Sequence, residues 1–97
     1  MKTIWKKQLE IFAEQIIQVP IGSKFLSVHM QQGNPTIWFE IPNKDYNIVL
    51  APRKIGCVMT GDPMPWLEAY YISTVVVDDV TNIELPSFVM HFYEVVD

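Results

Sequence analysis

Cysteine is almost missing from this chain of 97 residues, where Cys57 stands alone. A single cysteine closes no intrachain disulfide and builds no paired-cysteine metal site. No basic, apolar leader precedes Trp5, so the expected compartment is the cytoplasm. Positive charge is also scarce: seven Lys and Arg face eleven Asp and Glu, for a formal net charge of -4. Affinity for long nucleic acid comes mainly from many Lys and Arg contacts to phosphate, so no long nucleic acid is expected as a partner, although a few cations suffice for a small anion. Long apolar runs are missing as well. Ile48 to Ala51 and Ile72 to Val77 fall far short of the roughly 20 residues that a spanning helix needs, and no membrane role is implied. There is no internal repeat, no low-complexity tract, no linker and no phosphate-cradling glycine motif ahead of a helix.

What the chain has in quantity is apolar and aromatic material. Hydrophobic residues make up 49% of it, with 3 Trp, 4 Tyr and 5 Phe. A domain this small buries only about 60 to 65% of the surface its unfolded chain exposes, so part of this material should face a partner. The partner that leaves no adhesive surface behind is another copy of the chain, and a homo-oligomer is expected. The length allows one domain, 1–97.

Short stretches rich in Val, Ile, Tyr, Phe and Trp alternate with Pro, Gly, Asn and Asp, which is the rhythm of an all-β fold. Strands are expected near Thr3 to Leu9, Gln15 to Val19, Phe25 to Gln32, Thr36 to Ile41, Asn47 to Leu50, Lys54 to Thr60, Ala69 to Val77 and Ser87 to Val95. The fold class is all-β and mainly antiparallel, a small single-domain barrel or sandwich. One short helix is a live alternative over Lys6 to Ile17, where Leu9, Phe12, Ala13 and Ile16 recur at helical spacing.

The clearest local unit is a hairpin turning at Gly33-Asn34. With those two as loop residues, Met30 faces Ile37, Val28 faces Phe39 and Leu26 faces Ile41, giving one wholly apolar face. The other face then sets His29 opposite Trp38 and Ser27 opposite Glu40, leaving a large aromatic among polar neighbours. Trp38 is either covered by a second sheet, a strand or another subunit, or it is a stacking platform for a flat ligand.

Catalysis finds little support. His29 and His91 sit in separate strand patterns with no Ser, Cys or carboxylate at a recognisable triad or metal spacing. No catalytic residue, metal site or cofactor is expected. Asp78-Asp79 reads as a solvated turn, and Cys57 as a neutral buried thiol. The richer segment runs from Arg53 to Tyr71. Pro63, Pro65 and Gly61 stiffen a connection that carries Trp66, which makes it either a ligand lid or a crossover whose Trp plugs the end of the barrel. A phosphate-bearing ligand would need Arg53 or Lys54, because only charge-assisted hydrogen bonds hold a small phosphate here. The candidate binding residues are therefore Trp38, Arg53, Lys54, Thr60, Trp66 and Tyr71.

Over nearly its whole length the chain also resembles a family of small, mostly phage-encoded proteins classed as a domain of unknown function. The resemblance is carried by Thr3-Ile4-Trp5-Lys6 with Leu9-Glu10, then Gln15, Pro20 and Gly22, and by Leu26-Ser27-Val28 with Gln31, Gly33, Pro35 and Trp38. It continues through Thr60-Gly61, Pro63 and Pro65, Tyr71-Ile72 with Thr74, and the closing Phe88-Val89-Met90-His91-Phe92-Tyr93-Glu94. The family pattern has His where this chain has Asp62, and Cys or a small residue near Thr36, which removes the one loop histidine that would have suggested chemistry. The resemblance implies a phage protein that counteracts host antiviral defence. It further suggests similarity to sponge proteins, which sequester a cyclic-nucleotide immune signal without cleaving it. The alternatives are an inhibitor that caps a host protein with its apolar and acidic surface, or a structural phage accessory. A sponge requires aromatic rings and at least one cation in a common concavity, at a subunit boundary if need be; scatter of Trp38, Trp66 and the cations would remove that basis.

Overall fold

Ile37, Phe39 and Ile41 are apolar at every second position and fully enclosed, while Trp38 and Glu40 between them are only partly covered. That two-residue period is a strand with one face on a core. Ile17 with Val19 and Met90 with Phe92 repeat it elsewhere. The computed structural model describes residues 2–42, 48–77 and 88–97, with only the backbone described for Val77 and Phe88. It contains β1 (Thr3–Gln8), β2 (Glu14–Pro20), β3 (Lys24–Gln31), β4 (Asn34–Ile41), β5 (Leu50–Met59), β6 (Ala69–Val77) and β7 (Phe88–Val95).

The strands form two antiparallel sheets, β1-β4-β3 and β2-β5-β7-β6. Their inner faces share one core, in which Val28, Ile37, Phe39 and Ile41 of the three-stranded sheet meet Ile17, Val19, Ile55, Val75, Met90 and Phe92 of the other. Where β3 approaches β6, Ser73 donates a hydrogen bond to the carbonyl of Val28 at 3.0 Å. The result is the expected all-β domain in its sandwich form, not a closed barrel.

Several local expectations need correction. Lys6 to Ile17 is the end of β1, a crossing between sheets and the start of β2, with no helix. Neighbouring strands take the backbone groups a helix would use: the Leu9 N–H donates to Pro35 and the Cys57 N–H to Ala13, each at 2.8 Å. The strands expected at Asn47 to Leu50 and Lys54 to Thr60 are one strand from Leu50, and Pro52 is tolerated because β5 pairs with β7 only from Lys54 onward. Asn47, Ser87 and the Asp78-Asp79 turn lie outside the described residues.

The hairpin turns one residue earlier than expected. Gln32 and Gly33 have φ of 51° and 82°, both in the left-handed region that a tight two-residue hairpin turn demands. Met30 therefore pairs with Pro35 and Val28 with Ile37. The partners slip by two, so the side chains from Ser27 to Phe39 keep their faces. A bulge then leaves Leu26 unpaired and 39% exposed, and Phe25 takes the inward place against Phe39, the rings meeting edge to face at 6.2 Å.

Candidate functional site

The four-stranded sheet carries an aromatic row on its outer side. Glu14, Gly56, Tyr93 and Tyr71 are successive cross-strand partners on β2, β5, β7 and β6. Trp66, from the β5–β6 connection, lies over Gly56, where a Cβ would overlap the indole. Its ring meets Tyr93 at 6.0 Å, and Tyr93 meets Tyr71 at 5.6 Å. The indole N–H donates to Glu14 Oε1 at 2.7 Å, and Lys54 stands 3.9 Å from the other oxygen of that carboxylate. The loop Trp thus seals the outside of the sheet.

Next to this row runs a chain of hydroxyls through one imidazole. Thr60 Oγ1 lies 2.8 Å from His91 Nε2, Thr74 Oγ1 lies 3.0 Å from Nδ1, and the Tyr71 hydroxyl is 2.6 Å from Thr74. The Thr60–His91 contact has the form of a nucleophile and its base. The far nitrogen, however, meets the Thr74 hydroxyl where a triad would place a carboxylate. The sequence offered His91 only as a strand residue without a recognisable partner, because the β6–β7 register alone brings it to Thr74.

Arg53 serves the space between the sheets. It makes a two-pronged ion pair with Glu94, Nη2 to Oε1 at 2.7 Å, donates to the Ser23 carbonyl, and stacks 4.2 Å from the centre of the Phe25 ring. Its charge is committed to tying β5 and β7 to the start of β3.

Trp38 stands on the outer face of the other sheet, where Lys6 of β1 and Ser27 of β3 are its cross-strand partners. The His29 ring meets it edge-on at 5.9 Å. Lys6 reaches across the sheet to Gln31 Oε1 at 2.9 Å, and Lys24 pairs opposite Glu40, which also holds Lys2 at 3.2 Å. Of the six residues singled out by sequence, Thr60, Trp66 and Tyr71 therefore come together and Lys54 lies beside them. Trp38 is on a different sheet and Arg53 is turned inward, so one copy of the chain does not assemble the two tryptophans and a free cation in one concavity.

The whole chain, residues 1–97, matches the model of one family. The protein belongs to the family described as Domain of unknown function (DUF7352). No curated protein and no solved structure matches it.

Charge in this DUF7352 domain is divided between the sheets. Among the described residues Lys2, Lys6, Lys7 and Lys24 all lie on or next to the three-stranded sheet, whereas every acid except Glu40 lies on the four-stranded sheet or the segments around it. Beyond the start of β2, the free edge of β5 opens into a cleft of about 690 Å³, walled by Phe12, Met59, Pro63 and Trp66 and carrying the carboxylates of Glu14 and Asp62 but no Lys or Arg. Cys57 lines it too, with its thiol pushed up by burial. Such a cleft repels phosphate and suits apolar groups that arrive with positive charge.

Proposed function

We propose that this protein is a non-catalytic binding protein that captures a small, base-bearing anion of the cyclic-nucleotide class on the outer face of its three-stranded sheet. One observation carries the reading: Trp38, a ring suited to stacking, shares that face with His29 and with Lys6 directly across the sheet. Stacking on an aromatic face accepts any base, and lysine ammonium groups meet phosphate as point charges. Lys6 is free to swing from Gln31 toward a phosphate, and Lys24 supplies a second cation. The scatter of Trp38, Trp66 and the cations removes the site expected from sequence, since Arg53 is spent on Glu94, Lys54 faces Glu14 and Trp66 lies on the other sheet, so the reading rests on Trp38, Lys6 and Lys24 alone. Sequestration of an immune signal by a phage protein is the setting implied by the resemblance, and an intact signal should be recoverable from the complex.

The test is isothermal titration of the protein with cyclic di- and trinucleotides and ADP-ribose-type signals, followed by chemical analysis of the released ligand. Binding with intact recovery is expected. Trp38→Ala should weaken it at least about tenfold, about 1.4 kcal/mol, as should the Lys6→Ala, Lys24→Ala double variant, while Tyr71→Phe binds as the parent does. Undiminished binding by Trp38→Ala would move the site elsewhere. Absence of heat with every member would sink sequestration for this panel and leave capping of a host protein as the reading.

A further inference from the structure

Two surfaces have opposite chemistry, one apart from that proposed site and one that shares Lys6 with it. The first is the cleft beside β5, which is apolar and acidic. Ile11 and Phe12 on its wall are each 58% exposed. The second is β1, which among the described residues is the outermost strand of its sheet, has only β4 as a neighbour and is exposed from Ile4 to Gln8. Its sequence, with Lys2 just ahead, holds Lys6, Lys7, an Ile4 that is 61% exposed and a half-exposed Trp5, and no acid. An edge strand presents unpaired backbone groups in addition to its side chains.

We infer that the cleft of one copy receives the β1 edge of a second copy, so that the chain associates head to tail. Charge complementarity selects this occupant. Asp62 of the cleft meets Lys7 of the edge, Glu14 and Lys2 being already engaged with Lys54 and Glu40, while the apolar walls formed by Phe12 and Met59 take up Ile4 and Trp5. The interface joins two different patches, so it is heterologous. It propagates into a ring or an open chain and is not satisfied by a two-fold dimer. Exposed charges steer the encounter and burial of apolar surface holds it, so association weakens with salt without vanishing.

The test uses sedimentation velocity on the full chain without nucleotide, which keeps it separate from the ligand-binding proposal. Two variants are compared: Phe12→Ala with Asp62→Lys in the cleft, and Ile4→Ala with Lys7→Glu on the edge. All four positions are exposed, and near-ultraviolet circular dichroism verifies that each variant folds. The parent should grow in sedimentation coefficient with concentration, and each variant alone should associate at least about tenfold more weakly. An equimolar mixture should form a 1:1 dimer and nothing larger, because it contains one intact cleft and one intact edge per pair. A monomeric parent overturns the proposal and assigns the cleft to a basic, apolar segment of some other protein. Variants that still self-associate as the parent does, or a mixture that stays monomeric while the parent associates, overturn it as well.

Discussion

Gly56 lies directly beneath the indole of Trp66, and a Cβ at residue 56 would press on both that ring and Val95. A glycine in the middle of a strand marks such a close approach. Gly56→Ala should therefore destabilise the fold by about 1 to 3 kcal/mol through overpacking or push Trp66 out of its place, freeing Glu14. Urea denaturation with near-ultraviolet circular dichroism reads both effects. An unchanged midpoint and spectrum would mean that the ring does not rest there.

Arg53 and Glu94 form a pair whose side chains retain 23% and 18% exposure. Arg53→Met leaves the Glu94 carboxylate and the Ser23 carbonyl without their partner. A loss of about 2 to 3 kcal/mol is expected, less than for a fully buried pair. Glu94→Gln, which keeps a hydrogen-bond acceptor, should cost less. A change below about 0.5 kcal/mol in Arg53→Met, the range of ordinary surface substitutions, would contradict the structural role assigned to the pair.

The backbone N–H of Leu67 donates to the Asp97 carboxylate at 2.9 Å and that of Glu68 at 3.3 Å, which holds this carboxyl below the usual range, the Leu67 bond contributing most. The folded value lies below the unfolded one, so the stabilising contribution is present above the unfolded value and disappears as pH falls through the folded one. Carboxyl-carbon NMR should give a midpoint for Asp97 below about 3.9, with the Leu67 amide shift following the same titration. Asp97→Asn should remove that acid-dependent shift. A midpoint at the ordinary value would show that the tie is not made.

Burial raises the pKa of Cys57 and keeps its thiol protonated near neutral pH. Only the thiolate reacts, so labelling by a disulfide reagent at pH 8 should be slower than in the urea-unfolded chain by about an order of magnitude or more. Equal rates would place the thiol in open solvent.

Gln32 occupies a left-handed position followed by Gly33. Asn tolerates that conformation better, so Gln32→Asn creates the favoured Asn-Gly turn and should stabilise the protein by a few tenths to about 1 kcal/mol. Thermal melting checks this, and a fall in Tm would mean that the turn uses other residues.

The all-β class and the inward faces of β3 and β4 were legible in the sequence because burial on one side of a strand imposes a two-residue period. That period also made the hairpin reading robust: a slip of two partners around Gln32-Gly33 moved no side chain from Ser27 to Phe39 to the other face. The bulge at Leu26 and the continuity of β5 through Pro52 were not legible, since each depends on which neighbour a strand has at that point. The candidate residues divide in the same way. The β5–β6 connection sets Trp66 on the outer face of a sheet, not in the end of a barrel, with Thr60 and Tyr71 near it. Only tertiary structure turned Arg53 inward to Glu94, set Lys6 across the sheet from Trp38, and linked Thr60 through His91 to Thr74. Composition yields a net charge. The separation of that charge into a basic sheet and an acidic cleft comes from strand pairing between residues far apart in the chain, which no local pattern encodes.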